Sequence, residues 1–549
     1  MQTLQERAYR SQVRPDNSTF SPSVYSSPMS TQPRPRSEAS PGGEHAPIPL
    51  LENDPADERL RQQVGPPDWQ NPEPAACYNL VVVGGGTAGL VTAAGAAGLG
   101  ARVALIERDL LGGDCLNVGC VPSKALLRSA RVRGEMRRAK ALGATVESIT
   151  IDGAAVLERM RSLRADLAPN DSATRFRDEL GVDVFRGAAR FTGTDTLEVE
   201  GATLRFRRAV IATGASASVP PVPGLGEAGF ATNETIFSRT SLPERLVVLG
   251  AGPIGCELAQ AFRRLGSSVT LLEVGDAILP REDRDAAALV HAALLDDGVD
   301  IRVGCRIEGV ERAGEGRVVR LATSTGIEEL ACDELLVATG RKPNVAGLGL
   351  EEAGVQLDSR GAVAVDDRLQ TTNPAIYAAG DVCLDEKFTH AADFAARLVI
   401  ENSLFRRSRK RTELLIPRCT YTDPEIASVG ITREDAEGAP RGLRRWRIPF
   451  SDLDRARLDG EEDGYVEVVT PERGDRIVGA TIVASHAGEM IGEVCVAMRN
   501  GMGLGSLASV IHAYPTQAEA IRKAGDLYNR TRLTPLVKRL FSLWFRWNR

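Results

Sequence analysis

Apolar and polar positions are distributed unevenly along the chain. In YNLVVVGGGTAGLVTAAGAAGLGARVALIER, Tyr78 to Arg108, a continuous apolar run meets a glycine-rich turn, then a small-residue stretch, then a second apolar run. Uninterrupted apolar strands belong to a sheet covered on both faces, so the segment predicts a parallel βαβ unit. The same order returns in RLVVLGAGPIGCELAQAFRRLGSSVTLLEVG, Arg245 to Gly275. Each unit is followed by a segment that closes a strand on IATG, ending at Gly214, or VATG, ending at Gly340. A further strand, in NPAIYAAGDV, ends at Gly380 and Asp381. From about residue 413 the pattern changes to short alternating strands such as GYVEVVT and IVGATIVAS, followed by helices, which predicts a separate α+β domain. Residues 1–76, rich in Ser, Pro, Gln and charge with little apolar period, are expected to be a disordered extension. A transit peptide is the alternative there, weakened by Glu6 and Asp16.

The predicted fold class is therefore α/β, with two Rossmann-like dinucleotide-binding domains and a C-terminal α+β domain. The first domain takes 77–228 and 363–412, the second 229–362 and the third 413–530, leaving 531–549 as a tail. A formal net charge of −6 in 549 residues argues against nucleic acid as the main partner. Nine scattered cysteines and no apolar run of about 18 residues fit a reduced, cytoplasmic address without a membrane span.

Gly84, Gly86 and Gly89 fit G-x-G-x-x-G, as do Gly250, Gly252 and Gly255. These glycines permit a tight turn, backbone approach to a pyrophosphate and close helix packing. Glu107 and Glu273 end the second strand of each unit, where a carboxylate can bind ribose hydroxyls. Two fingerprints in full strand–turn–helix–strand context predict two bound dinucleotides. At Glu273 a carboxylate accepts from a 2′-OH and repels a 2′-phosphate, so NADH is expected over NADPH, although Arg281 and Arg284 follow.

GGDCLNVGCVPSKALL, Gly112 to Leu127, holds two thiols with four residues between them. A metal site lacks partners, since the chain has five His, none near Cys115, and no second thiol pair nearby. A regular helix would hold residues five apart at about 8–9 Å, beyond the about 7 Å a disulfide tolerates. The first turn must be distorted, which Gly112, Gly113 and Gly119 allow. A strained ring at a helix start reduces easily, and the helix dipole lowers a thiol pKa. Those are the properties of a redox catalyst.

Together with AAGD, YTDPEIASVG and HAYPTQAE, these motifs resemble the pyridine nucleotide–disulfide oxidoreductases from Tyr78 to about Arg530. That group includes dihydrolipoamide dehydrogenase, glutathione reductase and mercuric reductase. The resemblance implies FAD on the first fold, a nicotinamide nucleotide on the second and a C-terminal homodimerisation domain. Hydride would pass to the flavin and electrons onward to the disulfide. It further implies that Cys120 is the charge-transfer thiolate against the flavin, that Cys115 meets the substrate, and that Lys124 and Glu257 pair near flavin N5.

Where the disulfide-reducing members carry His before Pro-Thr, this chain has Tyr514, with Thr516 and Glu519 retained. His512 is an alternative base or a structural residue. Tyr514, ELAQAF and the FTG at Phe191 to Gly193 lean toward mercuric reductase-like sequences, so the expected acceptor is a metal ion such as Hg(II), or else a disulfide. No cysteine follows Cys495, so the C-terminal cysteine pair that delivers mercury in mercuric reductase is missing.

In the tail, Leu533, Leu536, Val537, Leu540, Phe541, Trp544 and Trp547 keep helical spacing beside Lys538, Arg539, Arg546 and Arg549, with no acid. Such a helix can lie on an anionic membrane or dock on a partner. The alternative is packing on its own dimer. A flavin-bearing redox sensor or membrane partner is the third functional reading, against which both thiols, Lys124 and Glu257 count.

Overall fold

The computed structural model describes residues 47–323, 326–405, 407–431 and 442–549. Both repeated units fold as parallel sheets. In the first, the strand order is Ile376–Ala378, Ala209–Ile211, Leu80–Val83, Val103–Glu107, Asp183–Arg186. Leu80–Val83 is central, with Val81 opposite Ala104 on one side and Ala209 on the other. All four of its residues are buried, the environment its unbroken apolar run requires.

The second sheet repeats the arrangement with Asp300–Arg302, Ser268–Leu272, Arg245–Leu249 and Glu334–Val337. Leu246 lies opposite Val269 and Glu334. The segments after the two ATG turns pair with each other, Arg341–Pro343 antiparallel to Ala215–Ala217. Backbone bonds tighten the junction, Asn344 N donating to Gly214 O at 3.0 Å and Ser218 N to Gly340 O at 2.8 Å. The turns at Gly214 and Gly340 thus become the crossing between the two nucleotide folds.

The C-terminal region is a five-stranded antiparallel sheet in the order Arg418–Thr420, Glu425–Gly430, Gly479–Ala484, Tyr465–Pro471, Leu443–Pro449. Helices Ala487–Arg499 and Glu519–Thr531 place Ile491, Val494, Ile521 and Ala524 in its core.

The N-terminal extension does not run to residue 76 as the composition suggested. Pro55–Val64 is a helix capped by Asp54, whose side chain accepts from the backbone N–H groups of Ala56 and Asp57. Ala56, Leu60 and Val64, four residues apart, are buried in the core of the first nucleotide fold. One apolar residue per turn, set among charges, is invisible to an average over composition but enough to dock a short helix. On the same helix Asp57 pairs with Arg164, both side chains wholly buried. Residues 1–46 lie outside the described residues.

Pro535–Trp547 is helical as expected, started by the Thr534 side chain accepting from Val537 N, and none of its residues is buried. No helix among the described residues is long and apolar enough to cross a membrane.

Candidate active site

The dithiol loop departs from a regular helix, as its glycines suggest. Left-handed backbone at Gly112, φ 90°, turns the chain into a short helix, Gly113–Asn117, which stops at Val118. A new helix, Cys120–Arg138, begins at the second cysteine. Cys120 therefore sits at a helix N-terminus, where the macrodipole favours a thiolate. Asn117 staples the loop from within, its Nδ2 donating to Leu111 O at 3.0 Å and Gly113 O at 2.9 Å. Its carbonyl accepts from Arg164 Nη1 at 2.8 Å, and Asn233 Nδ2 donates to Val118 O at 3.2 Å.

Both cysteines are free thiols, and the ionisation of each sulfur depends on the other. The neighbouring Cys115 thiol, then the Lys124 ammonium and Thr389, outweigh desolvation and bring the Cys120 thiol down to about 6. The Cys120 sulfur beside it, with burial, pushes Cys115 up. The pair is polarised: one sulfur is a thiolate at neutral pH and the other holds its proton. Thr389 Oγ1 lies 3.3 Å from Cys120 Sγ.

Lys124 lies one turn after Cys120, on the same helix face. Its Nζ bonds Glu257 Oε2 at 2.8 Å and lies 4.5 Å from the centre of the Tyr421 ring. Burial acts to lower the Lys124 pKa, but Glu257 and Cys120 more than compensate and hold it raised. Lys124→Gln is expected to shift the thiolate titration upward from about 6 by about 1–3 pH units, because the opposite charge is lost. Thiol alkylation rate against pH checks this, and an unmoved profile would leave the neighbouring Cys115 thiol as the sufficient cause.

Glu257 belongs to the helix Pro253–Leu265, and with Gln260 and Arg264 it forms one face directed at Tyr421–Asp423. Glu257 Oε1 accepts from Tyr421 N at 2.9 Å, and Gln260 Oε1 from Asp423 N at 2.8 Å. Arg264 Nη1 bonds Asp423 Oδ2 at 2.8 Å. The apolar-looking ELAQAFRR thus clamps a segment of the C-terminal domain beside the lysine. Cys256, next to Glu257, is a buried core residue whose thiol burial pushes up.

At the first fingerprint a Cβ on Gly84, φ 109°, would lie 2.4 Å from Ala212 O, and one on Gly89 would lie 1.7 Å from Gly84 O. Around Gly86, in contrast, the first atom such a Cβ would meet is Gly113 Cα at 3.7 Å. Two glycines close the turn and the third leaves space before a helix N-terminus, the shape a pyrophosphate needs. The second fingerprint repeats it: Gly250 and Gly255 are crowded by backbone, and nothing lies within 4 Å of a Cβ at Gly252. Glu107 accepts from Gly85 N at 2.6 Å and Asp109 N at 2.7 Å, and Glu273 from Ala251 N and Gly275 N, both at 2.8 Å. Burial raises the Glu107 carboxyl. Asp381 lies 3.6 Å from Arg341 Nε, and burial raises it too. The other arm of Arg341 bonds Asp114, next to Cys115. The open turn, the two carboxylates and the buried guanidinium fit FAD beside the dithiol.

The model of the pyridine nucleotide-disulphide oxidoreductases matches residues 78–396, and that of their dimerisation domain matches 416–525. The chain belongs to this family. It is a FAD-dependent oxidoreductase with a redox dithiol centre and a C-terminal dimerisation domain. It is 33% identical over 447 residues to a mercuric reductase of Bacillus cereus, covering 81% of this chain and 71% of that protein. It is 35% identical over 465 residues to a dihydrolipoyl dehydrogenase of Thermus scotoductus, covering 82% and 98%. Among solved structures, a Cu(II) complex of the HOCl-induced flavoprotein disulfide reductase RclA from Escherichia coli matches with a TM-score of 0.73 and 30% identity, over 81% of this chain and 98% of that one.

Tyr514 and Glu519 are not brought to the dithiol by the contacts within one chain. Tyr514 is 71% exposed and donates to Asp454 Oδ2 at 2.9 Å, a bond that raises its pKa. Glu519 pairs with Arg522 at 2.5 Å. His512 has both ring nitrogens engaged, Nε2 with Glu493 Oε1 at 3.0 Å and Nδ1 with Val510 O at 3.2 Å. These two bonds fix the orientation of the ring.

Sequence reasoning missed Thr389, Tyr421, Asp114 and Arg341. Tyr421 lies in the quoted YTDPEIASVG, Asp114 immediately precedes Cys115 and Arg341 follows VATG, so each had a neighbouring signal. Thr389 had none.

Proposed function

We propose that this oxidoreductase passes electrons from NADH, in preference to NADPH, to a soft metal ion such as Hg(II) at Cys115 and Cys120. Bound FAD would supply the two-electron relay between nicotinamide and sulfur. Gly86 and Glu107 would hold it at the first fold, with Asp381 and Arg341 on the dithiol side, while Gly252 and Glu273 would receive the nicotinamide nucleotide.

The observation that carries this reading is a polarised dithiol without an imidazole base at position 514. Disulfide chemistry needs a group that carries a proton near neutral pH. A soft ion needs thiolate ligands instead. Cys120 is already ionised at neutral pH, Lys124 stabilises it, and Cys115 yields its proton on binding the ion. Conversion of Hg(II) to Hg(0) then consumes the electron pair from NADH. The mercuric reductase relatives and the Cu(II) complex of RclA support an ion of this class. Glu273 supports NADH, as its carboxylate repels a 2′-phosphate. The second reading is a disulfide or dithiol such as dihydrolipoamide, favoured by the dihydrolipoyl dehydrogenase relatives.

The test is anaerobic reduction of the purified protein with NADH or NADPH, followed by Hg(II), Cu(II) or lipoamide. Faster reduction by NADH and reoxidation by the metal ion would support the proposal. Reoxidation by lipoamide alone would establish the second reading. With Tyr514 presented to the dithiol of the other subunit across the dimer, Tyr514→Phe is expected to lower metal-ion turnover about 10- to 100-fold, the range for losing an outer polar partner at a metal site, with nicotinamide-driven flavin reduction unchanged. Stopped-flow traces of the two half-reactions check this, and no change in either would make Tyr514 a packing residue.

A further inference from the structure

The helix Pro535–Trp547 lies beyond the matched dimerisation domain, and none of its residues is buried. Leu536 is 68% exposed and Trp547 80%, and Leu540, Phe541, Leu543, Trp544 and Phe545 are all at least half exposed. The helix before it, Glu519–Thr531, shows what packing on this protein looks like: Ala520, Ile521 and Ala524 form a buried stripe.

The two helices differ in how their faces divide. At 3.6 residues per turn, Lys538, Arg539, Ser542 and Arg546 share an arc of about 100°. Every other side chain from Leu536 to Trp547 is apolar and spreads over the opposite arc of about 200°. A protein groove covers a stripe, whereas an apolar face this wide is satisfied by a medium that surrounds it from the sides. Its two Trp and two Phe are side chains that settle at the headgroup boundary, and long cationic side chains can reach up from there to phosphate.

Charge identifies the medium. Six basic residues and no acidic one follow Asp526, in a chain whose formal net charge is −6. The body is therefore acidic in net terms and the tail carries the opposite sign, which attracts anions.

We propose that the helix Pro535–Trp547 docks this oxidoreductase on an anionic lipid bilayer, apolar arc in the headgroup boundary and cations toward lipid phosphate. The inference is independent of the acceptor, so its failure would leave the proposed reaction untouched.

The experiment is flotation of the full-length holoenzyme with vesicles of phosphatidylcholine alone or mixed equally with phosphatidylglycerol. Recovery on the mixed vesicles is expected to be at least about tenfold higher, to fall with added NaCl, and to bring a blue shift in tryptophan emission. Leu540→Glu/Trp544→Glu and Lys538→Glu/Arg539→Glu are each expected to reduce it at least about tenfold. Flavin reduction by NADH should be unchanged in both. Absence of flotation, or flotation undiminished in the variants, overturns the proposal. So does loss of the dimer in sedimentation of the variants without wild-type flotation, which would assign the helix to the protein's own interface.

Discussion

Cys120→Ser is expected to lose acceptor turnover by at least about 10³-fold, as for removal of a catalytic nucleophile, while FAD remains bound and nicotinamide still reduces it. Serine preserves the size and the contact with Thr389 but cannot hold an electron pair as a sulfur does. The remaining thiol does not compensate, because Cys115 alone has no second sulfur with which to form a disulfide and so cannot store the electron pair. Steady-state reduction of metal ion or lipoamide, alongside the flavin spectrum, reads both halves at once. Unchanged turnover would exclude the dithiol as electron carrier.

Arg164→Leu is expected to destabilise the first nucleotide fold by about 3–5 kcal/mol, the cost of leaving one partner of a buried ion pair alone. Arg164 is fully buried and connects three parts of the chain: its own helix, Asp57 of the N-terminal helix and the carbonyl of Asn117 between the two cysteines. Asp57→Leu should cost a similar amount, stranding the guanidinium instead. The double variant should recover most of the loss, since a buried pair replaced by apolar side chains of similar volume is often neutral or stabilising. Urea unfolding followed by flavin release measures all three. Additive losses would mean that Asp57 and Arg164 act separately. The N-terminal helix precedes the matched family region, so this brace on the redox loop is supplied by chain outside the family's own boundary.

Much of the site was legible because its parts are local. Gly84, Gly86 and Gly89 lie within one turn between a strand and a helix, and the requirement for close backbone approach acts on those residues alone. Cys120 and Lys124 are one helical turn apart, so their proximity follows from the helix. The distortion between Cys115 and Cys120 followed from helix geometry and the neighbouring glycines. The Lys124–Glu257 bridge spans 133 positions and was reached only because both residues fall within motifs of a known family.

Other features had no such handle. Asp114 and Arg341 are 227 positions apart and meet because the strands after the two ATG turns pair with each other. Thr389 reaches Cys120 across 269 positions through a helix that packs on the first fold. Composition misread the stretch from 47 to 76, since three apolar residues at helical spacing bury a helix while the average stays polar. For His512 the sequence left a base or a structural residue open, and the structure adds its bond to Glu493, 19 positions away.

By itself the sequence determined the strands, turns and helices, the two nucleotide-binding turns and the thiols available, because periodicity and backbone sterics act over a few residues. Only the tertiary structure decided that Thr389 and Tyr421 stand beside Cys120 and Lys124, that Arg341 reaches Asp114, and that the face of the tail stays bare. Burial and charge pairing depend on residues that only the packed domains bring together.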